Sequence, residues 1–373
     1  MDQSVEIAAL EAHVLRVPID NPVVTSFGEM HSRPAVFVEV KTRDGFSGWG
    51  EVWCNFPTVG AAHRARLVQS VLTPLLVGET FETPRDAFAK VTARTEVLAI
   101  QSGEPGPLAQ VIAGVDIALW DLVARRAELP LYRLFTEREV ESLPVYASGL
   151  NASQPEKLAE EKHAEGHRRF KLKVGFGRER DVRNLETLRA AFGAETPLMV
   201  DANQAWTAAE ALEMSRILSE FDPLWLEEPL RADAPLADWR ALAENSPIAL
   251  ALGENLRGDA AFAEMTNAGV ARYVQPDIAK WGGFSGCIPV GGAALDAGLT
   301  VCPHWLGGGI GLIASWHLLA ALGGDGLLEV DSNPNPLRDD ISEMMPAISS
   351  GEMRAPDGFG LGIQPNIASL YRA

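Results

Sequence analysis

From Asp201 onward, a side chain able to do chemistry recurs at a nearly constant interval. Asp201, Glu227, Glu254, Asp277, His304 and Glu329 are separated by 26, 27, 23, 27 and 25 residues. Each lies at or just past the end of a short β-rich apolar run. Eight such runs, at 145–148, 170–174, 198–200, 224–226, 248–252, 273–275, 299–302 and 327–328, have helical stretches between most of them. One interval is about one strand plus one helix, which predicts a (β/α) barrel. Residues that keep phase with the strands reach one C-terminal rim, where barrel active sites lie. Scattered surface charges would lose that phase. The last run has no long helix after it, so closure of the barrel is expected to be irregular.

The residues before 142 read differently. An alternating run at 35–40, an Asp44-Gly45 turn and a second run at 46–52 predict strands. The clearest helix is predicted over 108–122, where Leu108, Val111, Ile112, Val115, Ala118, Leu119 and Leu122 keep helical spacing. Strands first and helices afterwards predict an α+β unit over 1–141. The barrel follows over 142–349, and the Gly- and Pro-rich residues 350–373 are expected to return over the first unit. The fold class expected is therefore α/β, a modified barrel with an α+β capping unit.

Composition limits the functions. Fifty acidic against 32 basic residues give a net charge of −18, which repels phosphate backbones and argues against nucleic acid. An anionic substrate then needs a locally positive site, made by lysines or a metal. Cys54, Cys287 and Cys302 are few, odd in number and far apart, which argues against disulfides and against a cysteine zinc site and points to a reducing cytoplasm. Residues 1–10 carry Asp2 and Glu6 without a basic stretch, unlike a signal peptide. No run is expected to reach the roughly 18 apolar residues of a membrane helix.

The rim residues fall into three groups. Asp201, Glu227 and Glu254 would repel one another unless a cation sat among them. An all-oxygen donor set favours Mg²⁺, then Mn²⁺. Taken singly, each reads equally well as a solvated loop residue. Lys171 and Lys173 are two apart on a strand and point to one face. Mutual repulsion would ease loss of a proton, making a competent base, although lysines on an exposed edge strand would look the same. Asp277 and His304 stand at neighbouring strand ends, where a carboxylate fixes the imidazole tautomer. His13, His31, His63, His163, His167 and His317 lack such company and are expected to be structural.

The ordered set Lys-x-Lys (171–173), Val-Asp-Ala-Asn (200–203), Leu-Glu-Glu-Pro (226–229), Gly-Glu-Asn (253–255), Gln-Pro-Asp-Ile-Ala-Lys-Trp-Gly-Gly (275–283) and Pro-His (303–304) resembles the mandelate racemase subgroup of the enolase superfamily. Gly-Trp-Gly-Glu (48–51) and Gly-Val-Asp-Ile-Ala-Leu-Trp-Asp (114–121) resemble that family's N-terminal part, so the likeness spans nearly the whole chain. It implies a (β/α)7β barrel under a capping domain and Mg²⁺ on Asp201, Glu227 and Glu254. It further implies that Lys173 is a base on one face of a substrate carboxylic acid, with Lys171 holding the carboxylate. His304 with Asp277 would be the acid/base on the other face, and Glu329 a hydrogen-bond donor to the developing enolate. Asn203 and Lys280 would touch metal or substrate. Lys280 matches the base of the muconate-lactonizing and dipeptide-epimerase branches, and here accompanies the His-Asp pair. A homo-oligomer is implied as well. A Lys or His base with Mg²⁺ on the enediolate is the general pattern of such sites. Dehydration of a sugar acid is the expected reaction. Racemisation or epimerisation of a hydroxy acid, cycloisomerisation of a sugar-acid lactone, and a non-catalytic carboxylate receptor are the alternatives. The Gly-rich stretch 306–311 and the Asn-Pro-Asn-Pro (333–336) and 356–363 segments resemble lactonizing enzymes and acid-sugar cycloisomerases, galactarolactone cycloisomerases among them. Substrate selectivity is expected from the loops 24–31 and 53–59.

Overall fold

The computed structural model describes residues 3–26 and 28–367, so Met1, Asp2 and Phe27 and the tail beyond residue 367 lie outside the described residues. The N-terminal unit is a four-stranded antiparallel sheet with helices on one face. Its strands are β1 (Val5–Thr25), β2 (Gly28–Thr42), β3 (Ser47–Val52) and β4 (Thr80–Phe81), in the order β3-β2-β1-β4. The longer helices are α1 (Gly60–Leu67), α2 (Pro84–Ser102) and α3 (Pro105–Arg126). Thr83 and Asp86 close a reciprocal capping box at the start of α2. The long strand β1 has no counterpart in the sequence reading, and of residues 24–31, expected to form a loop, the described ones at 24–26 and 28–31 belong to the β1–β2 hairpin.

Helix α3 departs from expectation in another way. By length and composition it is apolar enough to cross a membrane, but 89% of its most apolar window is buried. It is buried on every side because it runs between the sheet and the barrel, packing on β3 and on a barrel helix.

The barrel strands are β5 (Ser142–Leu150), β6 (Phe170–Lys173), β7 (Leu198–Asp201), β8 (Leu226–Glu227), β9 (Leu250–Leu252), β10 (Tyr273–Val274), β11 (Thr300–Val301) and β12 (Leu328–Asp331). They pair in parallel from β5 to β11, and β12 pairs in parallel with β5. At the β11–β12 seam the Leu327 N–H donates to Cys302 Sγ at 3.3 Å. The intervening helices are α4 (Pro155–Ala164), α5 (Arg178–Phe192), α6 (Ala208–Leu218), α7 (Leu236–Asn245), α8 (Asp259–Asn267), α9 (Gly283–Asp296) and α10 (Gly309–Leu322). A hairpin of β13 (Ile348–Ser349) and β14 (Glu352–Arg354) pairs with the start of β5. The chain then returns to α3, where the Leu361 N–H donates to Asp121 Oδ1 at 2.6 Å.

His317 of α10 fastens this return. Its Nδ1 accepts the Tyr132 N–H at 3.3 Å, and its Nε2 lies 3.2 Å from the Leu361 carbonyl. Both contacts suit the neutral ring, and burial pushes its pKa down from 6.5 to about 4. The unfolded chain takes up that proton first. Stability present above pH 6.5 is therefore lost as pH falls towards 4, by about 3 kcal/mol from this residue. Urea unfolding at about pH 7 and about pH 4.5 should show a smaller acid loss for His317→Gln than for the unaltered chain.

Candidate active site

The ends of β6 to β12 bring every rim residue singled out above into one buried cluster. Lys171 is fully buried. Its Nζ lies 2.8 Å from Glu329 and 3.7 Å from Asp201, and donates to Glu227 in a still shorter contact. Lys173 Nζ is 2.5 Å from Asp201 Oδ2. Lys280 Nζ is 2.9 Å from Glu254 Oε1 and 4.8 Å from the centre of the Trp53 ring. His304 stands between two carboxylates, with Nδ1 2.7 Å from Asp277 Oδ2 and Nε2 2.9 Å from Glu254 Oε2. Asp277 is itself fixed, because its Oδ1 accepts the N–H groups of Ala279 and Lys280, each at 2.9 Å. Glu329 accepts from the Ser148 hydroxyl and, at 2.8 Å, from the Trp305 N–H.

With no ion on the carboxylates, the electrostatics of the two lysines are set by their partners across the barrel rather than by each other. Burial is the largest influence on Lys173 and pushes it down, as does Lys171, but Asp201 and Glu227 together outweigh both and hold the ammonium above the ordinary lysine value. Lys171 is raised further, against burial, by Glu227 and Glu329. Mutual repulsion is thus a minor effect next to the facing carboxylates. His304 follows the same rule: burial lowers it, while Glu254 and Glu329 hold it well above the usual imidazole range.

Sequence reasoning missed several participants. Glu227 is held by the Trp225 Nε1 at 3.0 Å and the Gln275 Nε2 at 2.6 Å. Glu228, adjacent to it, should point to the opposite face of a regular strand. Its φ of 38° instead turns it towards Asn255, whose Nδ2 it accepts at 2.9 Å. Asn203 (φ 44°) and Gln204 (φ 65°) share this left-handed backbone, which for residues other than glycine marks locally imposed strain. Asn203 donates its N–H to Asp201 Oδ1 at 2.8 Å.

A cation would fit this cluster for a reason of charge. Six buried carboxylates, Asp201, Glu227, Glu228, Glu254, Asp277 and Glu329, face four basic side chains, Lys171, Lys173, Lys280 and His304. With all ten ionised, two negative charges are left over, which is what one divalent ion neutralises. The surplus is visible in the carboxylates themselves. Burial and then Glu254 push Glu228 well up, and burial, with Asp201 and Glu329, pushes Glu227 to about 7. The oxygens of Asp201, Glu227 and Glu254 are engaged by Lys171, Lys173, Lys280 and His304, and the three do not all come within 4.8 Å of one another. Among the described residues that spacing occurs only at Glu11, His13 and Glu39 on the outer sheet, where Lys41 already bridges the two glutamates at 2.9 and 3.1 Å. His13 therefore has carboxylate company after all, as do His31 with Glu29 (3.4 Å) and His63 with Glu104 (3.0 Å). All three pairs are away from the barrel rim.

A cavity of about 280 Å³ opens over the cluster. Lys173, Glu254, Lys280, His304 and Asn203 form its floor and walls, and Thr25, Trp53, Asn55 and Phe56 of the N-terminal unit cover it. The cover is tied down: Ser26 Oγ donates to the Asn203 carbonyl at 2.9 Å and Asn55 Nδ2 to the Leu306 carbonyl at 2.6 Å. A wider cleft, containing Arg231 and Arg257, lies outside and shares Asn203, Gln204 and Asn255 with it.

Comparison with known proteins gives a consistent picture. Residues 155–369 match the family described as enolase C-terminal domain-like, and residues 9–136 match the mandelate racemase/muconate lactonizing enzyme N-terminal domain. The chain is 29% identical to a D-galactarolactone cycloisomerase of Agrobacterium fabrum over 98% of both chains. It is 31% identical to an arabinonate dehydratase of Saccharolobus solfataricus, over 89% of this chain and 88% of that one. A solved mandelate racemase/muconate lactonizing enzyme structure from Bordetella bronchiseptica is 52% identical, with a TM-score of 0.93 over 99% of each chain. A racemase from Streptomyces coelicolor with bound magnesium is 28% identical, with a TM-score of 0.87 over 98% of this chain and 99% of that one.

Proposed function

The chain belongs to the mandelate racemase/muconate lactonizing enzyme family of the enolase superfamily, and we propose that it dehydrates a sugar acid after removing the proton next to the carboxylate. Relatives in this superfamily include sugar-acid dehydratases, cycloisomerases and racemases. The observation that carries the proposal is that Lys173 and His304 both border one small cavity whose remaining lining is largely polar. A cavity of about 280 Å³ suits a small acid, and Thr25, Asn55, Asn203 and Gln204 offer partners for hydroxyl groups.

Asp201, Glu227 and Glu254 are the proposed Mg²⁺ ligands. When bound, the ion supplies Lewis-acid stabilisation of the enediolate that forms when the α-proton leaves. The rest falls to the chain. Lys171, fully buried outside the cavity lining and anchored on Glu227 and Glu329, would act on the substrate carboxylate only as a fixed positive charge at a distance. Lys173 and His304 both line the cavity. With Asp201 drawn to a bound ion, Lys173 would lose the carboxylate that holds its proton and could take the α-proton, while His304 would protonate the departing β-hydroxyl. Asp277 keeps the His304 proton on the nitrogen that faces away from the substrate, leaving Nε2 for transfer. Glu329, held by Ser148, the Trp305 N–H and Lys171, is buried outside the cavity lining, and its proposed part is to fix Lys171. The same pair of groups would also serve epimerisation, with one base on each face. Incubating the protein with a panel of sugar acids and Mg²⁺ tests the choice: a 2-oxo-3-deoxy product is expected. An epimer or an opened lactone, without loss of water, would replace dehydration with one of the isomerisations.

A further inference from the structure

The two barrel helices that follow Asp277 and His304 begin without caps of their own. α9 starts after Gly282 and α10 after Gly308, and neither residue has a side chain to accept the free N–H groups of the first turn. The acceptors come from the N-terminal unit. Asp116 of α3 accepts the Ser285 N–H at 3.0 Å and the Ser285 hydroxyl. Glu51 of β3 accepts the Gly308 N–H at 2.6 Å and the Gly311 N–H at 2.9 Å. Glycine makes room in both places: a Cβ at 283 would lie 2.2 Å from Asp116 Oδ2, and one at 308 would lie 2.7 Å from Glu51 Oε1. A third contact lies two residues past Glu329, where Arg33 of β2 pairs with Asp331 at 2.5 Å.

The apolar packing divides the barrel in the same way. Phe37, Trp49 and Trp120 of the N-terminal unit share one core with Ile278, Phe284 and Leu328. The core around β6 to β9, beneath Lys173 and Asp201, contains no residue of that unit. The N-terminal unit thus shares its apolar core with the sector that carries Asp277, His304 and Glu329, and meets the other sector through polar contacts such as Ser26 Oγ to the Asn203 carbonyl at 2.9 Å and the Val24 N–H to Asn151 Oδ1 at 3.4 Å.

We propose that Glu51 and Asp116 are positioning residues for the His304–Asp277 side of the site, capping α10 and α9 across the boundary between the two units. The idea rests on the two-sided reading of the site above. It gives a role to two buried carboxylates that form no ion pair among the described contacts: the helix N-termini they cap offer a partial positive charge that offsets part of the burial, which pushes Glu51 up to about 8 and Asp116 to about 7.

The test uses the full chain with Glu51→Ala, Asp116→Ala, Asp116→Asn and Gly308→Ala, beside Leu242→Ala as a destabilised control in the other sector. Amide hydrogen exchange should rise at the start of α10 in the Glu51→Ala and Gly308→Ala proteins, and at the start of α9 in Asp116→Ala, with β6 and β7 unchanged. The His304 ring signals in NMR should move in these variants and not in Leu242→Ala. In a Lys173→Ala background, α-proton exchange with D₂O reports the His304 side. It should fall on the order of 10²-fold on adding Glu51→Ala. In a His304→Asn background the same addition should change exchange by less than about 3-fold. Asp116→Asn keeps an acceptor for the Ser285 N–H and should restore what Asp116→Ala loses. Equal loss on both sides, or amide protection and His304 signals that stay in place, would overturn the proposal. Should the unaltered protein neither exchange an α-proton nor release it on turnover, the dehydration reading fails, while the amide and NMR results still decide the role of the two caps.

Discussion

Glu254→Gln is expected to lower turnover by on the order of 10³-fold or more and to weaken Mg²⁺ binding, with the fold intact. Glu254 is the most exposed of the three proposed ligands, at 8%, and the others are fully buried. Its replacement removes a charge that holds both Lys280 and His304, yet keeps the shape. Asp201→Asn and Glu227→Gln should have similar effects on turnover. They carry more risk to the fold, since Lys171 and Lys173 lose a charge partner in the interior, and breaking a buried pair costs about 3–5 kcal/mol. Calorimetric titration with Mg²⁺, beside circular dichroism, separates the two effects. A Glu254→Gln protein with undiminished activity would remove the metal from the mechanism.

The second large effect concerns the two acid/base groups. With His304→Asn, proton exchange next to the carboxylate is expected to continue while elimination stops, because the group that protonates the leaving hydroxyl is gone. With Lys173→Ala, both should fall by on the order of 10²–10⁴-fold, the range of general-base catalysis, for substrates whose α-proton faces Lys173. NMR in D₂O follows the two reactions at once. A His304 variant that loses all exchange beside an unaffected Lys173→Ala would leave a single base and reduce Lys173 to a binding residue. A racemase would give a different pattern, with each variant exchanging one stereoisomer only.

Much of this site could be read from the sequence because the barrel imposes a period. Asp201, Glu227, Glu254, Asp277, His304 and Glu329 keep step with one strand-plus-helix unit, so their convergence needs no tertiary information. Other features depend on partners that no local pattern names. Glu228 sits one residue from Glu227, and only a φ of 38° brings it to the same side. The lysines of 171–173 read as mutually repelling until Glu227 and Glu329, from strands distant in sequence, are placed against them. Glu51 and Asp116 read as ordinary residues of a strand and a helix, because the helix ends they cap lie 257 and 169 residues away. The strand β1 escaped notice for a local reason: its burial does not alternate cleanly, and register shifts interrupt its pairing with β2.

The fate of the α-hydrogen tests the central claim most directly. Sugar acids deuterated at the carbon next to the carboxylate should release that label to water in step with turnover. Release should stop after exhaustive EDTA treatment and return with Mg²⁺. Turnover that leaves the label on its carbon, or label release that continues undiminished without a divalent ion, would contradict metal-assisted proton abstraction at this site.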